Sequence, residues 1–220
     1  MSSFVRPLLA VGLAFLAGAG LAADRNRAPG EVATAPTVPV DCTEGFEGDL
    51  MPPPGWRIVQ TSGYTWKFQV TGQPPHSGAH AADVEYDPDL YPQDEWLLTP
   101  KSRYTGTLTF WSQGSLYWCR DTYDNCDLEV WLVQGAVAGD DDDVYLGLAD
   151  PAWPSPYAWA QSSFVVGASA PAGLFRIGFR YTGLDGAQIV LDDIVHPAPC
   201  PVFGADWEAG DLLEWDVRVP

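Results

Sequence analysis

Two adjacent carboxylates, Asp192 and Asp193, interrupt an otherwise apolar run from Ile189 to Val195. Side chains alternate along a strand, so one of the pair must face the interior. A carboxylate buried without a partner is strongly destabilising, and an ion or a cluster of donors has to meet it. A hard cation with flexible oxygen coordination suits that need, and calcium outside the cell is abundant enough to fill weak sites. The competing outcome is that the two residues cap a turn or pair with Arg176 or Arg180.

Other charged or metal-ligating groups are more easily read as local structure. Gly139 followed by Asp140, Asp141, Asp142 and Asp143 lacks the Asp-x-Asp-x-Asp-Gly spacing and the distal Glu that wrap a single ion, so it reads as a solvated hairpin tip. Glu85, Asp87, Asp89, Asp94 and Glu95 surround a Pro-containing loop and read as solvated, with a second cation as the alternative. His76 and His80 are spaced for one helix face, but Pro74, Pro75 and Gly78 forbid a helix there and predict a turn. His196, beside Pro197, points to nothing.

Exposed aromatic rings are the other chemistry on offer, since sugar rings stack on them. Trp153, Tyr157 and Trp159, near Tyr145 and in or beside a Pro-rich segment, are the candidate ligand-binding aromatics; Tyr117, Trp118 and Tyr123 form a second candidate platform. The alternative is burial, which Trp and Tyr favour on average. There is no Gly-x-Ser-x-Gly elbow, no His-Glu-x-x-His and no phosphate-cradling glycine loop, and carboxylates are too plentiful to single out a glycosidase pair. The reading is of a chain that is not an enzyme.

The elements that must position these residues are strands. Short β-rich runs, separated by Gly and Pro, cover residues 56–60, 64–70, 81–86, 95–99, 107–112, 128–134, 144–148, 158–166, 174–181 and 188–195. Regular spacing of that kind predicts an all-β sandwich or barrel. Phe175, Ile177, Phe179 and Tyr181 share one face of their run, with Arg176, Gly178 and Arg180 on the other. Residues 128–133 are apolar on both faces apart from Glu129, which predicts a central strand or one covered by a loop.

Arg6, an apolar run over residues 8–21 and small residues at Gly20, Ala22 and Ala23 predict a bacterial Sec-type signal peptide over residues 1–23. Residues 24–41 read as a Pro/Ala-rich flexible linker, 42–200 as the domain and 201–220 as a tail. In that tail Trp207, Glu208, Asp211 and Leu212 echo Phe46, Glu47, Asp49 and Leu50. A secreted or envelope location makes disulfides the expected state of the four cysteines: Cys119 with Cys126 across a short loop, and Cys42 with Cys200 across the domain. The first closure is worth roughly 2–3 kcal/mol and the second about 5 kcal/mol by loop entropy. Zinc is the rival, but paired CxxC elements are absent. A net charge of −18 makes nucleic acid and anionic lipid poor partners, and no second apolar segment offers a membrane span in the mature chain.

A series of short motifs falls in one order: Phe46-Glu47-Gly48, Pro54-Gly55-Trp56, Tyr64-Thr65-Trp66, His76-Ser77-Gly78, Glu95-Trp96-Leu97-Leu98, Leu108-Thr109-Phe110-Trp111, Ile177-Gly178-Phe179 and Leu191-Asp192-Asp193-Ile194. The succession resembles the cleaved-adhesin or choice-of-anchor J domains of secreted bacterial proteins, related to MAM and carbohydrate-binding-module jelly rolls. It spans roughly residues 44–196. The resemblance implies a two-sheet antiparallel jelly-roll sandwich with its first and last strands side by side. It also implies a structural calcium site, whose ligands carried onto this chain are Glu47 and Asp192, with Asp193 next. The expected function is a secreted or cell-surface binding or adhesion module for a glycan or surface protein. The alternatives are a carbohydrate-recognition module and an accessory domain of a secreted hydrolase system.

Overall fold

The computed structural model describes residues 42–69 and 74–197, and the segments read as signal peptide, linker and tail lie outside them, as does Cys200. Eleven strands are present among the described residues: β1 Cys42–Glu44, β2 Arg57–Val59, β3 Lys67–Phe68, β4 Ala82–Val84, β5 Gln93–Leu98, β6 Gly106–Gly114, β7 Cys126–Val133, β8 Val144–Leu148, β9 Ala160–Val166, β10 Arg176–Gly183 and β11 Ile189–His196. Two short helical turns, Tyr117–Asp121 and Asp150–Ala152, interrupt them. Among the described residues no helix is long and apolar enough to cross a membrane.

The strands form two antiparallel sheets. One runs β3-β4-β11-β6-β9, with β1 also on β11; the other runs β2-β5-β10-β7-β8. Cys42, Thr43 and Glu44 of β1 oppose His196, Val195 and Ile194 of β11. Opening and closing strands therefore lie side by side, as the family resemblance implies. β1 itself carries no alternating pattern, and Phe46 and Glu47 stand in the turn after it and not within a strand.

Alternation explains the core. Phe175, Ile177, Phe179 and Tyr181 are all buried between the sheets, together with Leu128, Val130 and Leu132 of β7 and Ile189, Leu191 and Ile194 of β11. A second, smaller cluster on the outside of the β2-β5-β10-β7-β8 sheet joins Trp96, Leu98 and Val133 to Trp131 and Ala138. Residues 128–133 are thus apolar on both faces for two reasons: β7 is an inner strand, and the β7–β8 connection folds over its far side, where Arg57 donates to the Ala136 carbonyl at 2.8 Å. The acidic tip of that connection is solvated as expected. Asp140, Asp141 and Asp142 are exposed, while Asp143 closes the turn by accepting from the Gly139 amide at 2.8 Å.

Cys119 and Cys126 form a disulfide, and Cys42 is disulfide-bonded as well. The pairing expected between Cys42 and Cys200 falls outside the described residues.

Candidate functional site

The three expected carboxylates converge on one loop, residues 76–80. The Glu47 carboxylate accepts from the amides of Ala79 at 3.0 Å and His80 at 3.1 Å. Asp192 Oδ2 accepts from the Ser77 amide at 3.1 Å. Asp193 accepts from the Ser77 hydroxyl at 2.7 Å, and its other oxygen lies 2.6 Å from His76 Nδ1.

Plain alternation sends Asp192 and Asp193 to opposite faces, and here the structure differs. β11 carries an irregularity between Asp192 and Val195 in its pairing with β6, and Asp193 has φ +47°. A bulge with one residue in the left-handed region turns the second carboxylate back beside the first, and Asp tolerates that region better than most residues. Gly45 approaches from β1: a Cβ there would lie 3.4 Å from Asp193 Oδ1 and 3.9 Å from Asp192 Oδ1. Phe46, at φ +57°, drives its ring into the core against Trp56, with centroids 5.9 Å apart. That anchor holds Glu47 at the loop.

Electrostatically the site is short of positive charge. Asp192 is 0% exposed; burial pushes its carboxyl up to about 6, the neighbouring Asp193 charge adds to the rise, and the Ser77 and Asp193 amides offset part of it. Burial likewise raises Glu44, which accepts from the Phe46 amide at 2.7 Å. Glu47 moves the other way, held below the ordinary carboxylate range by the His80 and Ala79 amides. Neither arginine expected as an alternative partner is involved. Arg180 binds Asp94 and Glu129, and Arg176 donates to the carbonyls of Gly55 and Thr99.

The donor set fits a hard cation in chemistry: carboxylate oxygens with one serine hydroxyl among them, around a fully buried negative group. Among the described residues, however, no three His, Cys, Asp or Glu side chains are grouped tightly enough to hold an ion by themselves. A calcium ion here would take part of its six to eight oxygens from backbone carbonyls and water.

The histidines are in a turn, as expected, but the turn has a role that the sequence reading missed. His76 stacks on Trp111 at 3.9 Å and 15° and meets the edge of Trp159 at 5.6 Å. Trp111 is the residue opposite Asp192 on β6, so the loop is gripped by carboxylates and indoles together. Contacts 117 residues apart leave no local signal.

Of the aromatic candidates, Trp153 is corrected. Trp153 is 2% exposed, with its Nε1 donating to Ser112 Oγ at 2.9 Å. It lies so close over β6 that a Cβ on Gly114 would sit 2.3 Å from the ring. It is core, and stacking on a sugar is closed to it. Trp159 is half-buried and packs against the His76 loop, donating to the Pro74 carbonyl at 3.4 Å. Tyr157 is half-buried as well. A glycine inside a strand marks a close approach, and Gly114 was the available sign of a ring above it. In the second platform, Tyr117 and Tyr123 are exposed, at 46% and 42%. The second acidic group is dispersed onto separate partners: Glu85 on Lys67, Asp94 on Arg180, Glu95 on Thr61 and Ser62, and Asp87 on the Asp89 amide.

No protein-family model matches the sequence, and no curated protein matches it significantly. Solved structures do. The K2 cleaved adhesin domain of Lys-gingipain aligns with a TM-score of 0.56 at 18% identity, covering 72% of this chain and 99% of that domain. The K3 cleaved adhesin domain of Lys-gingipain from Porphyromonas gingivalis aligns at 0.52 with 21% identity, covering 71% and 96%. At such identities the likeness speaks for the fold. The described chain carries the sandwich fold of the cleaved adhesin domains, the fold that its ordered motifs resemble.

Proposed function

We propose that the chain is an exported, non-catalytic binding and adhesion module whose sandwich is held closed by a structural calcium ion where its first and last strands meet. The observation that carries this reading is Asp192: a carboxylate with no exposed surface, beside Asp193, with Glu47 bound to the same 76–80 loop and no arginine or lysine paired to any of them among the described residues. Glu47, Asp192 and Asp193 are the residues that would hold the ion, joined by the Ser77 hydroxyl and backbone oxygens. Bound there, calcium would supply the positive charge that the desolvated Asp192 carboxylate requires. His76 and the amides of Ser77, Ala79 and His80 orient the carboxylates.

An ion that binds only the folded chain stabilises it by mass action, about 2.7 kcal/mol at a hundredfold excess over its dissociation constant. Thermal melts in chelator and in excess calcium test this. Calcium is expected to raise the midpoint by several degrees, Asp192→Asn to abolish the rise, and Asp141→Asn at the solvated tip to leave it intact. Superimposable melts in the two buffers remove calcium from the reading. Export is tested separately, by intact mass of the secreted chain, expected to begin after Ala22 or Ala23.

A further inference from the structure

At one end of the sandwich, connections from five parts of the chain enclose a cleft of about 460 Å³, within the roughly 300–1,000 Å³ of small-ligand sites. Its lining shares no residue with the carboxylate site. The aromatic walls are Tyr64, Tyr86, Trp118 and Tyr157. Tyr86 is 42% exposed, and Tyr64, Trp118 and Tyr157 are half-buried, Trp118 also packing against the core.

The walls are set in advance of any ligand. One face of Trp118 lies against Tyr123, centroids 4.8 Å apart at 15°, and Tyr117 meets its edge at 5.1 Å. Its neighbour Cys119 is tied to Cys126. Tyr157 takes φ +52°, and its amide donates to the Gly114 carbonyl at 2.8 Å. Strained backbone of that kind persists where the surroundings over-determine it. The polar rim is equally fixed: Gln188 donates to Asp83 at 2.6 Å, and Glu85 is paired with Lys67.

Rigid aromatic faces with carboxylate and amide edges between them match a ring that has C–H faces and hydroxyl edges. Charge narrows the class. Glu85 and Asp185 line the cleft, no Lys, Arg or His does, and the whole chain carries −18. Uronate, sulfated or phosphorylated sugars would meet repulsion, and Lys67, the cation at the rim, is already held by Glu85. A peptide bound by strand addition would want an open sheet edge, and the cleft is walled by connections, with none of its lining residues on the edge strands β2, β3, β8 or β9.

We propose that this cleft is the ligand site of the module and that it takes an uncharged glycan, with sugar rings stacked on Trp118 and Tyr86. The proposal deepens the binding-module reading and stands apart from its calcium. Calorimetric titration of the full chain with neutral gluco-, galacto-, manno- and xylo-oligosaccharides, and with oligogalacturonate, tests it. At least one neutral series is expected to bind and oligogalacturonate to bind at least about tenfold more weakly. Trp118→Ala and Tyr86→Ala are each expected to weaken the neutral ligand at least about tenfold, as expected for losing one stacking surface; melting is expected to stay unchanged in Tyr86→Ala, whose ring is exposed, and to fall in Trp118→Ala, whose ring also packs against the core. Tyr145→Ala, which removes an exposed ring that packs on Trp131 and does not line the cleft, is expected to bind as the parent does. Absence of binding by every neutral series, equal binding of oligogalacturonate, or full affinity in Tyr86→Ala overturns the proposal. A calcium-dependent melt without sugar binding discards the cleft and leaves the module reading. Sugar binding retained in Asp192→Asn separates the two sites.

Discussion

On the outer face of the β2-β5-β10-β7-β8 sheet, Asp94 and Glu129 flank Arg180 across three adjacent strands; where β1 meets β11, Asp192 and Asp193 face a serine, a histidine and backbone amides. Arg180 spans its two acids with bonds of 2.7 Å to Asp94 and 3.0 Å to Glu129, and its guanidinium also lies 5.1 Å from the Trp96 ring and 5.9 Å from Trp131. The first region carries its own permanent cation, planar and matched to carboxylates. In the second, the acids hold the 76–80 loop through hydrogen bonds to amides and a hydroxyl that do not cancel their charge, and through the His76 imidazole. The difference teaches where the fold is self-sufficient and where it leans on solution conditions: one region sets a permanent cation between its two acids, while the other leaves a buried negative charge for something outside the chain to balance.

The largest expected effect comes from removing the built-in cation. Arg180→Met keeps most of the apolar stem but leaves Asp94 and Glu129 unpaired beside Trp96 and Trp131. A loss of about 2–3 kcal/mol in denaturant melts is expected, below the value for a fully buried pair because Asp94 is partly exposed. Calcium should not restore it, whereas adding Asp94→Asn should recover part; rescue by calcium would mean the two regions are not distinct. Next comes Gly78→Ala. Gly78 has φ +62°, and a Cβ there would sit 2.2 Å from Glu47 Oε1. Left-handed backbone alone costs about 1–2 kcal/mol in a residue with a side chain, and the Glu47 carboxylate must swing away from the Ala79 and His80 amides. The variant should lose stability and also most of its calcium-dependent rise; a normal rise would show that Glu47 is not needed at the junction.

Legibility followed range along the chain. The alternation of Phe175, Ile177, Phe179 and Tyr181 is a local signal, and the structure buries all four. β1, three residues long, is too short to show a period, and its place beside β11 came from the ordered motifs. Asp192 and Asp193 stood out because charge in an apolar run is conspicuous, yet alternation misplaced the second, since a bulge depends on how β11 pairs with β6. Trp153 was misjudged because a Pro-rich neighbourhood looks like surface, while burial was decided by β6 beneath it. Of the aromatic cleft, Tyr157 and Trp118 were legible as candidate ligand rings, but their meeting was not: its walls come from connections spread between Tyr64 and Gln188, and nothing local in any of them marks the others.

The smallest effect sharpens the contrast from the closing strand itself. His196 ends β11, with its ring 5.5 Å from Trp56 and 5.9 Å from Tyr104, and its Nδ1 is buried without a hydrogen-bond partner. Burial lowers its pKa from 6.5 to about 4. A base lowered in the folded state binds fewer protons there than in the unfolded chain, so its contribution is intact above about pH 6.5 and is lost as pH falls toward 4. Between pH 7 and pH 5.5 that loss is about 1 kcal/mol. Asp192 and Asp150, each pushed up to about 6 by burial, run in the opposite sense in chelator: protonation relieves their buried charge, so stability is gained as pH falls through 6. The parent melt therefore mixes the two signs, and the readout is a difference. His196→Phe, which keeps a ring between Trp56 and Tyr104, should gain about 1 kcal/mol over the parent on going from pH 7 to pH 5.5. An equal pH response in the two chains would mean that His196 takes up its proton without penalty, and that its ring is not shut off from water in the folded chain.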